Sequence, residues 1–236
     1  MYLTLVGDVH GCYHTLLTLL ERIPRENNQI ILMGDLINKG PYSYEVFKWV
    51  RKEGVEFILG NHEYLCMLRN QERYQKLWRK QGGQATLASI DRHYAFKNGK
   101  HVQVILAQMA YFFATQRKYH LIPTAYGKTF IVTHGGISKR LFRQQNYSLE
   151  RCLNADVLTP NSYLFNKQKL LSLEGYIQVI GHQPKAYAPL KVRENYYLDS
   201  GCVYTQRPGM GYLSALMFNL QEEEPPRVFK QQNLDC

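Results

Sequence analysis

Leu3-Thr4-Leu5-Val6 runs into Gly7-Asp8-Val9-His10-Gly11, and this joint between an apolar run and a turn bearing polar ligand-type side chains recurs along the chain. Ile30-Ile31-Leu32-Met33 ends in Gly34-Asp35-Leu36, and Glu56-Phe57-Ile58-Leu59 ends in Gly60-Asn61-His62-Glu63. Phe130-Ile131-Val132-Thr133 meets His134-Gly135-Gly136, and Ile177-Gln178-Val179-Ile180 meets Gly181-His182. Open α/β sheets hold their chemistry in the crevice at the carboxyl ends of their strands. Five strand ends therefore deliver Asp, Asn and His side chains to one crevice, enough oxygen and imidazole donors for two metal ions.

Working outward, residues 1–62 read as a βαβαβ unit. Strands at 3–7, 29–33 and 55–59 alternate with helices near 13–22 and 42–52. Leu16, Leu17, Leu19 and Leu20 form the apolar face of the first helix, and Val46, Phe47, Trp49 and Val50 that of the second. A further helix is expected from Asn61 to Arg69. Residues 70–120 read as helical, broken at Gly82-Gly83, with a helix from Gln84 to Arg92. Arg69, Arg73, Lys76 and Lys80 fall on one face of a continuous helix, either a solvated face or a basic rim beside the crevice. A second, antiparallel sheet is expected from strands at 129–133, 176–180, 195–199 and 211–219. Residues 138–172 read as mixed and helical, with a turn at Pro160-Asn161. The expected organisation is one domain over 1–220, with a helical cap-like insertion at about 65–120. Residues 221–236, opening with Glu222-Glu223-Glu224-Pro225-Pro226, are expected to fray.

A length of 236 residues suits a single domain, and 45% apolar residues suffice for a core. No run approaches the roughly 18 apolar residues of a membrane span, and the start lacks the basic region and cleavage site of a secretory signal. Five cysteines without a CxxC pair read as reduced thiols, consistent with a cytoplasmic compartment. The net charge of +10 favours acidic partners: phosphoproteins, nucleotides, nucleic acid or anionic lipid. With no recognisable RNA-binding module in the chain, nucleic acid ranks behind the others. Oligomeric state is left open.

The donors sort into two sets. Asp8, His10 and Asp35 make one site; Asp35, Asn61, His134 and His182 make the other, with Asp35 bridging. Two metal ions about 3.5–4 Å apart clamp a phosphate and generate a nucleophile from water at neutral pH. Mn²⁺ is the expected metal, and Fe or Zn would suit the same donors. His62, next to Asn61, is the candidate general acid for the leaving oxygen. Lys39 and Lys167 are the candidate cations for the phosphoryl oxygens.

These motifs resemble those of the calcineurin-like metallophosphoesterase superfamily and, within it, the phosphoprotein phosphatase branch, which carries GDxHG, GDxxDRG, GNHE, HGG and GHxP. The resemblance covers roughly residues 2–220. It implies an α/β fold, a four-layer αββα sandwich of two mixed sheets, a dinuclear metal centre, and one-step hydrolysis of phosphate esters by metal-bound hydroxide with His62 as acid. Two departures stand out. Asn38-Lys39 replaces the branch's Asp-Arg, so a residue that would neutralise a protonated His62 becomes an uncharged amide. Lys39 and Lys167 replace arginines and lose the two-pronged grip on phosphate.

Two subfamilies fit. Symmetrical diadenosine tetraphosphatases share the GDVHGCY opening and a segment like Leu198-Asp199-Ser200-Gly201-Cys202. Small bacterial and phage-type Ser/Thr protein phosphatases share GNHE, a stretch like Trp78 to Gly82-Gly83 with Thr86-Leu87, and a segment like Gly181-His182-Gln183-Pro184. The second set matches at more points, so the expected activity is a phosphoprotein phosphatase acting on Ser/Thr or Tyr, with release of two ADP from the dinucleotide as the alternative. A nucleic-acid phosphatase and a degenerate binding module rank below both. The acidic cluster at 222–224 also resembles that of some type IV secretion substrates, which would imply export.

Overall fold

The computed structural model of the chain describes residues 1–93, 100–159 and 161–236. The stretch 94–99 of the expected helical insertion and Pro160 of the expected turn lie outside the described residues. β1 (Tyr2–Val6) alternates sides as an extended chain must: Leu3 and Leu5 point to one core, Val6 to another. α1 (Tyr13–Glu21), β2 (Asn28–Leu32), α2 (Ser43–Glu53) and β3 (Glu56–Phe57) complete the βαβαβ unit. β1, β2 and β3 are parallel, with Thr4 opposite Ile30 and Ile31 opposite Glu56. α2 ends where Gly54 takes a left-handed conformation (φ 64°), the usual terminator of a helix.

α3 (Asn61–Met67) and α4 (Glu72–Trp78) are separate helices, so the continuous basic face expected from Arg69 to Lys80 does not form. Arg69 falls in the break between them and is buried, while Arg73, Lys76 and Lys80 are exposed. A widened π turn at Arg79–Gly83 leads into α5 (Gln84–His93), and α6 (Lys100–Ala114) follows. The helical region then stops short of residue 120, because β4 (Tyr119–Pro123) pairs antiparallel with β5 (Thr129–Thr133). α7 (Lys139–Gln144) and α8 (Leu149–Asn154) are capped by the Ser138 and Ser148 hydroxyls. β6 (Tyr176–Ile180), β7 (Leu190–Val192), β8 (Asn195–Tyr197), β9 (Tyr212–Asn219) and β10 (Arg227–Gln232) complete the chain.

The strand order is β10-β9-β1-β2-β3 in one sheet and β4-β5-β6-β8-β7 in the other. Two expectations are corrected here. β9 belongs to the first sheet, antiparallel to β1 with Leu5 opposite Leu216, and the second sheet is mixed, with β5, β6 and β8 parallel. Residues 227–232 do not fray: they form an edge strand on β9.

The sheets face one another across Leu3, Leu5, Ile31, Met33, Phe130, Val132, Ile177, Val179, Leu216 and Phe218. Helices α1, α2, α3, α5 and α6 pack on the outer face of the first sheet through residues such as Leu16, Leu19, Phe47, Leu65, Ile90 and Phe113. α7 and α8 cover the second sheet through Ile131, Leu141 and Leu153. The result is a helix–sheet–sheet–helix sandwich whose parallel strand ends converge on one crevice. No helix among the described residues is long and apolar enough to cross a membrane.

The segment after β10 is pinned as well. The Asp235 carboxylate accepts the His14 and Thr15 amides, 2.9 Å each, at the open N-terminus of α1, where Cys12 supplies no cap of its own. Asp235→Ala is therefore expected to lower unfolding stability by about 0.5–2 kcal/mol, the usual cost of losing a helix cap. Urea denaturation measures it; an unchanged midpoint would mean the contact contributes nothing.

Candidate metal centre

Asp8, His10, Asp35, His134 and His182 sit in turns that follow strands, and Asn61 opens α3; several of those turns are in conformations that side chains resist. His10 (φ 47°), Asp35 (φ 50°), Asn38 (φ 71°), Lys39 (φ 64°) and His182 (φ 61°) all adopt left-handed backbone. Such strain concentrates where surrounding structure enforces it for function.

Asp35 is the centre of the cluster. Its Oδ2 lies 3.6 Å from His10 Nε2 and 3.6 Å from His62 Nε2, and its Oδ1 lies 3.3 Å from His134 Nε2. Asn61 Oδ1 is 3.0 Å from His134 Nε2 and 2.7 Å from His182 Nδ1. Two triads of donors result, His10–Asp35–His62 and Asp35–His134–His182, sharing Asp35. Asp8 stands behind them. Its carboxylate accepts the His182 amide at 3.0 Å and lies so close to Gly181 that a Cβ there would sit 2.1 Å from Oδ1.

The donors fit metal ions. Bonds of about 2.1 Å set ligand atoms about 3.0–3.4 Å apart on an octahedron or tetrahedron, close to the separations observed. His182 meets the cluster through Nδ1, 2.7 Å from Asn61 Oδ1, while its Nε2 is buried and, among the described residues, has no hydrogen-bond partner. The charges agree. Burial and the neighbouring Asp199 push the Asp8 carboxyl well above the usual range. Burial would raise Asp35 too, but His134 and His62 hold it well below that range. Burial works to lower His134, and Asp35 outweighs it, lifting the ring to about 10. Burial takes His62 down to about 4 and, with His134, His182 to about 3. So tight a group of buried acids and imidazoles has the donor chemistry of a cation site.

The two sequence-predicted cations are placed differently. Lys39 Nζ donates to His10 Nε2 at 2.7 Å and stands 5.5 Å over the Tyr204 ring. Lys167 is exposed and makes no direct contact with the cluster. It lies near enough that its charge helps depress His182, and it lines a cavity of about 600 Å³ with Lys169, Lys185 and Arg193.

Asn38 does not accept a hydrogen bond from His62. Thr86 Oγ1 donates to Asn38 Oδ1 at 2.7 Å, which turns Asn38 Nδ2 toward His62 Nδ1, also at 2.7 Å. The amide donates, so His62 Nδ1 accepts and the ring proton resides on Nε2, the nitrogen facing Asp35.

Three residues escaped sequence reasoning. Glu63, fully buried, accepts the amides of Gly60, Asp35, Leu36 and Ile37 at 2.8–3.2 Å. It ties the Asp35 loop to the start of α3. Burial, then Asp35, raise its carboxyl to about 7 against the pull of those amides. The signal was present as the Glu of a helix-capping pattern, Gly60 followed three residues later by Glu63. Asp199, buried beside Asp8, accepts the Gly201 amide at 2.8 Å. Asn166 donates to Gly135 O in the His134 turn at 3.1 Å.

Residues 1–213 match the family of calcineurin-like phosphoesterases. The chain belongs to that family. Membership of that family makes it a hydrolase. It is 26% identical to the asymmetrical bis(5'-nucleosyl)-tetraphosphatase PrpE of Halalkalibacterium halodurans, over 92% of this chain and 90% of that one. It is 23% identical to serine/threonine-protein phosphatase 1 of Salmonella typhimurium, over 84% and 86%. A symmetrical bis(5'-nucleosyl)-tetraphosphatase of Erwinia tasmaniensis is 48% identical, but only over 63 residues, 25% of this chain and 23% of that relative's length. Among solved structures, a serine/threonine phosphatase of Saccharomyces cerevisiae superposes with a TM-score of 0.60 at 14% identity, over 100% and 81% of the two chains. That likeness is one of fold.

Glu63→Gln puts an amide N–H₂ against backbone amides that need an acceptor. Metal-free protein is expected to lose about 1–3 kcal/mol of unfolding stability, the cost of a buried donor left unpaired. An unaltered urea transition would remove Glu63 from the support of the Asp35 loop.

Proposed function

We propose that this phosphoesterase is a phosphoprotein phosphatase that hydrolyses phosphate monoesters on Ser or Thr. Asp8, His10, Asp35, Asn61, His134 and His182 would hold two divalent ions, Mn²⁺ by preference. Bound there, the ions would supply Lewis acidity toward phosphoryl oxygens and lower the pKa of water. The chain's own residues do the rest. Asp35 presents one oxygen to each half of the cluster. His62 faces the cluster through Nε2; on taking up a proton it would donate one from that nitrogen to the leaving oxygen of the serine or threonine and return to the neutral ring with its proton on Nε2. Asn38, itself held by Thr86, keeps His62 in this tautomer, a role an amide can fill without charge. Lys39 and Lys167 place positive charge beside the phosphoryl group, and Lys169, Lys185 and Arg193 extend it into a cleft suited to an acidic substrate.

The observation that carries this reading is the seat of the segment from Trp78 to Thr86. Gly82 O accepts the Lys39 amide at 3.2 Å, and Thr86 orients Asn38. That segment is the one resembling small bacterial protein phosphatases, and it touches both residues that depart from the branch's Asp-Arg pair. A second reading has its own support. The Leu198 to Cys202 segment, which resembles that of the symmetrical tetraphosphatases, sets Asp199 beside Asp8. A relative named as an asymmetrical tetraphosphatase also aligns along nearly the whole chain.

Turnover with added Mn²⁺ on a phosphothreonine peptide, a phosphotyrosine peptide and diadenosine tetraphosphate separates the readings. Faster phosphate release from the phosphothreonine peptide is expected; preferential dinucleotide cleavage would overturn the proposal. Asp35→Asn is expected to lose bound metal and hydrolysis together. His62→Asn should retain metal while turnover falls about 10²–10⁴-fold, the span of a general acid; metal loss instead would make His62 a ligand. Asn38→Asp is expected to change turnover, and an unchanged rate would mean that His62 is oriented by other contacts.

A further inference from the structure

β7 is the edge strand of the second sheet, and all three of its residues are exposed. Successive side chains of a strand point to opposite faces. Lys191 lies on one face, over the Tyr196 ring. Leu190 and Val192 lie on the other, with Leu190 opposite Tyr197 of β8. These three residues form the floor of the cavity of about 600 Å³ that Lys167 lines.

The walls of this cavity are cationic. Lys167 and Lys169 come from the segment before β6, Lys185 from the turn after β6, and Arg193 from the β7–β8 turn. Lys185 Nζ stands 5.6 Å over the Tyr197 ring. Among the described residues, none of the four makes an ion pair and no Asp or Glu lines the cavity. Glu194, next to Arg193, is engaged elsewhere: its carboxylate lies 3.2 Å from Lys128 Nζ and 4.0 Å from Lys191 Nζ. One end of the cavity is built on the turns of the metal centre. Gln183 follows His182, and its Nε2 donates to Asn166 O at 3.1 Å. Asn166 holds the His134 turn and precedes Lys167. A substrate whose phosphate sits at the cluster can therefore continue into the cavity.

Four cations without a counter-charge, gathered in a cleft, make a field that draws anions. Beneath them Leu190 and Val192, 37% and 52% exposed, leave apolar surface open. The volume lies within the roughly 300–1,000 Å³ of ordinary ligand pockets, more than a lone ion requires. A nucleotide gains most from an open ring on which to stack its base. Tyr197, the one aromatic residue of the lining, is 6% exposed and lies under Lys185. A peptide with acidic and apolar side chains matches both surfaces. Resting on the phosphoprotein phosphatase reading, we propose that this cavity is a specificity subsite for the acidic flank of the substrate: it holds carboxylates, or a second phosphate, on residues beside the phosphorylated Ser or Thr. The preferred substrates are then phosphoproteins that are acidic around the hydrolysed residue.

The test uses the metal-loaded full-length protein and one phosphothreonine peptide with three flanks, Glu, Gln or Lys. kcat/KM is expected to be about tenfold higher for the Glu peptide than for the Gln peptide, the worth of two or three partly exposed charge pairs. The gain should lie in KM rather than kcat, because flank contacts are the same before and during the reaction. It should shrink as salt is added. Lys169→Glu with Lys185→Glu should reverse the order and make the Lys peptide a better substrate than the Glu peptide, whereas a purely structural role for these lysines would slow all three alike. Equal kcat/KM for the Glu and Gln peptides, or an order that charge reversal leaves intact, would overturn the proposal. Should the double variant fail to fold, Lys169→Glu alone, at an exposed side chain, decides: a smaller Glu-over-Gln preference supports the subsite, and an unaltered one rejects it. A doubly phosphorylated peptide that outruns the Glu peptide supports the subsite and assigns it to phosphate. A loss of affinity for diadenosine tetraphosphate in the double variant, with the peptide preference intact, gives the cavity to a nucleotide and rejects the proposal. Turnover of the peptides without flank preference rejects the subsite alone; no turnover of any of them removes the phosphoprotein reading and the subsite together.

Discussion

The site depends on one buried carboxylate that is not itself among the proposed metal ligands. Glu63 gathers four backbone amides from two strand-end turns, Gly60 on one side and Asp35 to Ile37 on the other. Those turns come from neighbouring parallel strands and carry Asp35, Asn38, Lys39, Asn61 and His62. Parallel pairing brings the strand ends together, but it does not fix loops bent into left-handed conformations. A carboxyl group reaching several amides at once does, because each unmet amide would be costly.

With the loops fixed, electrostatics follow. Asp8, Asp35, Glu63 and Asp199 are all buried, and each feels the charge of its acidic and imidazole neighbours. Burial penalises every charge here, and the groups respond in opposite directions: Asp35 stays ionised among histidines while Asp8, next to Asp199, is driven toward its neutral form. A divalent cation relieves this arrangement. In that sense the scaffold is built around positive charge, and Lys39 on His10 expresses the same demand from within the chain.

The replacement of the branch's Asp-Arg by Asn38-Lys39 alters the site by geometry as much as by charge. An aspartate at 38 would accept from His62 Nδ1 and favour the imidazolium. Asn38, turned by Thr86, donates to it and favours the neutral ring with its proton on Nε2. The helical segment that supplies Thr86 therefore helps to orient His62.

The linear order of residues sufficed for the strand-end rule and for the ligand-type residues themselves, because an apolar run followed by a Gly-bounded turn is a local pattern. The first three strands and the helices at 13–22, 42–52 and 84–92 were legible for the same reason. What the chain's pattern could not decide was pairing and burial. β9 reads as one more strand of the second sheet, yet joins β1, since strand partners are chosen by which inward faces meet, not by chain order. Residues 227–232 look like a polar tail but form an edge strand, where one solvated face tolerates such composition. Arg69 counts as one of four exposed cations by helical spacing and is buried because the helix breaks at its position. Glu63 showed in the sequence only as the Glu of a capping pattern; its hold on the Asp35 loop, Asp199 and the donor role of Asn38 emerged only in three dimensions, because a hydrogen bond depends on atoms brought together from distant parts of the chain.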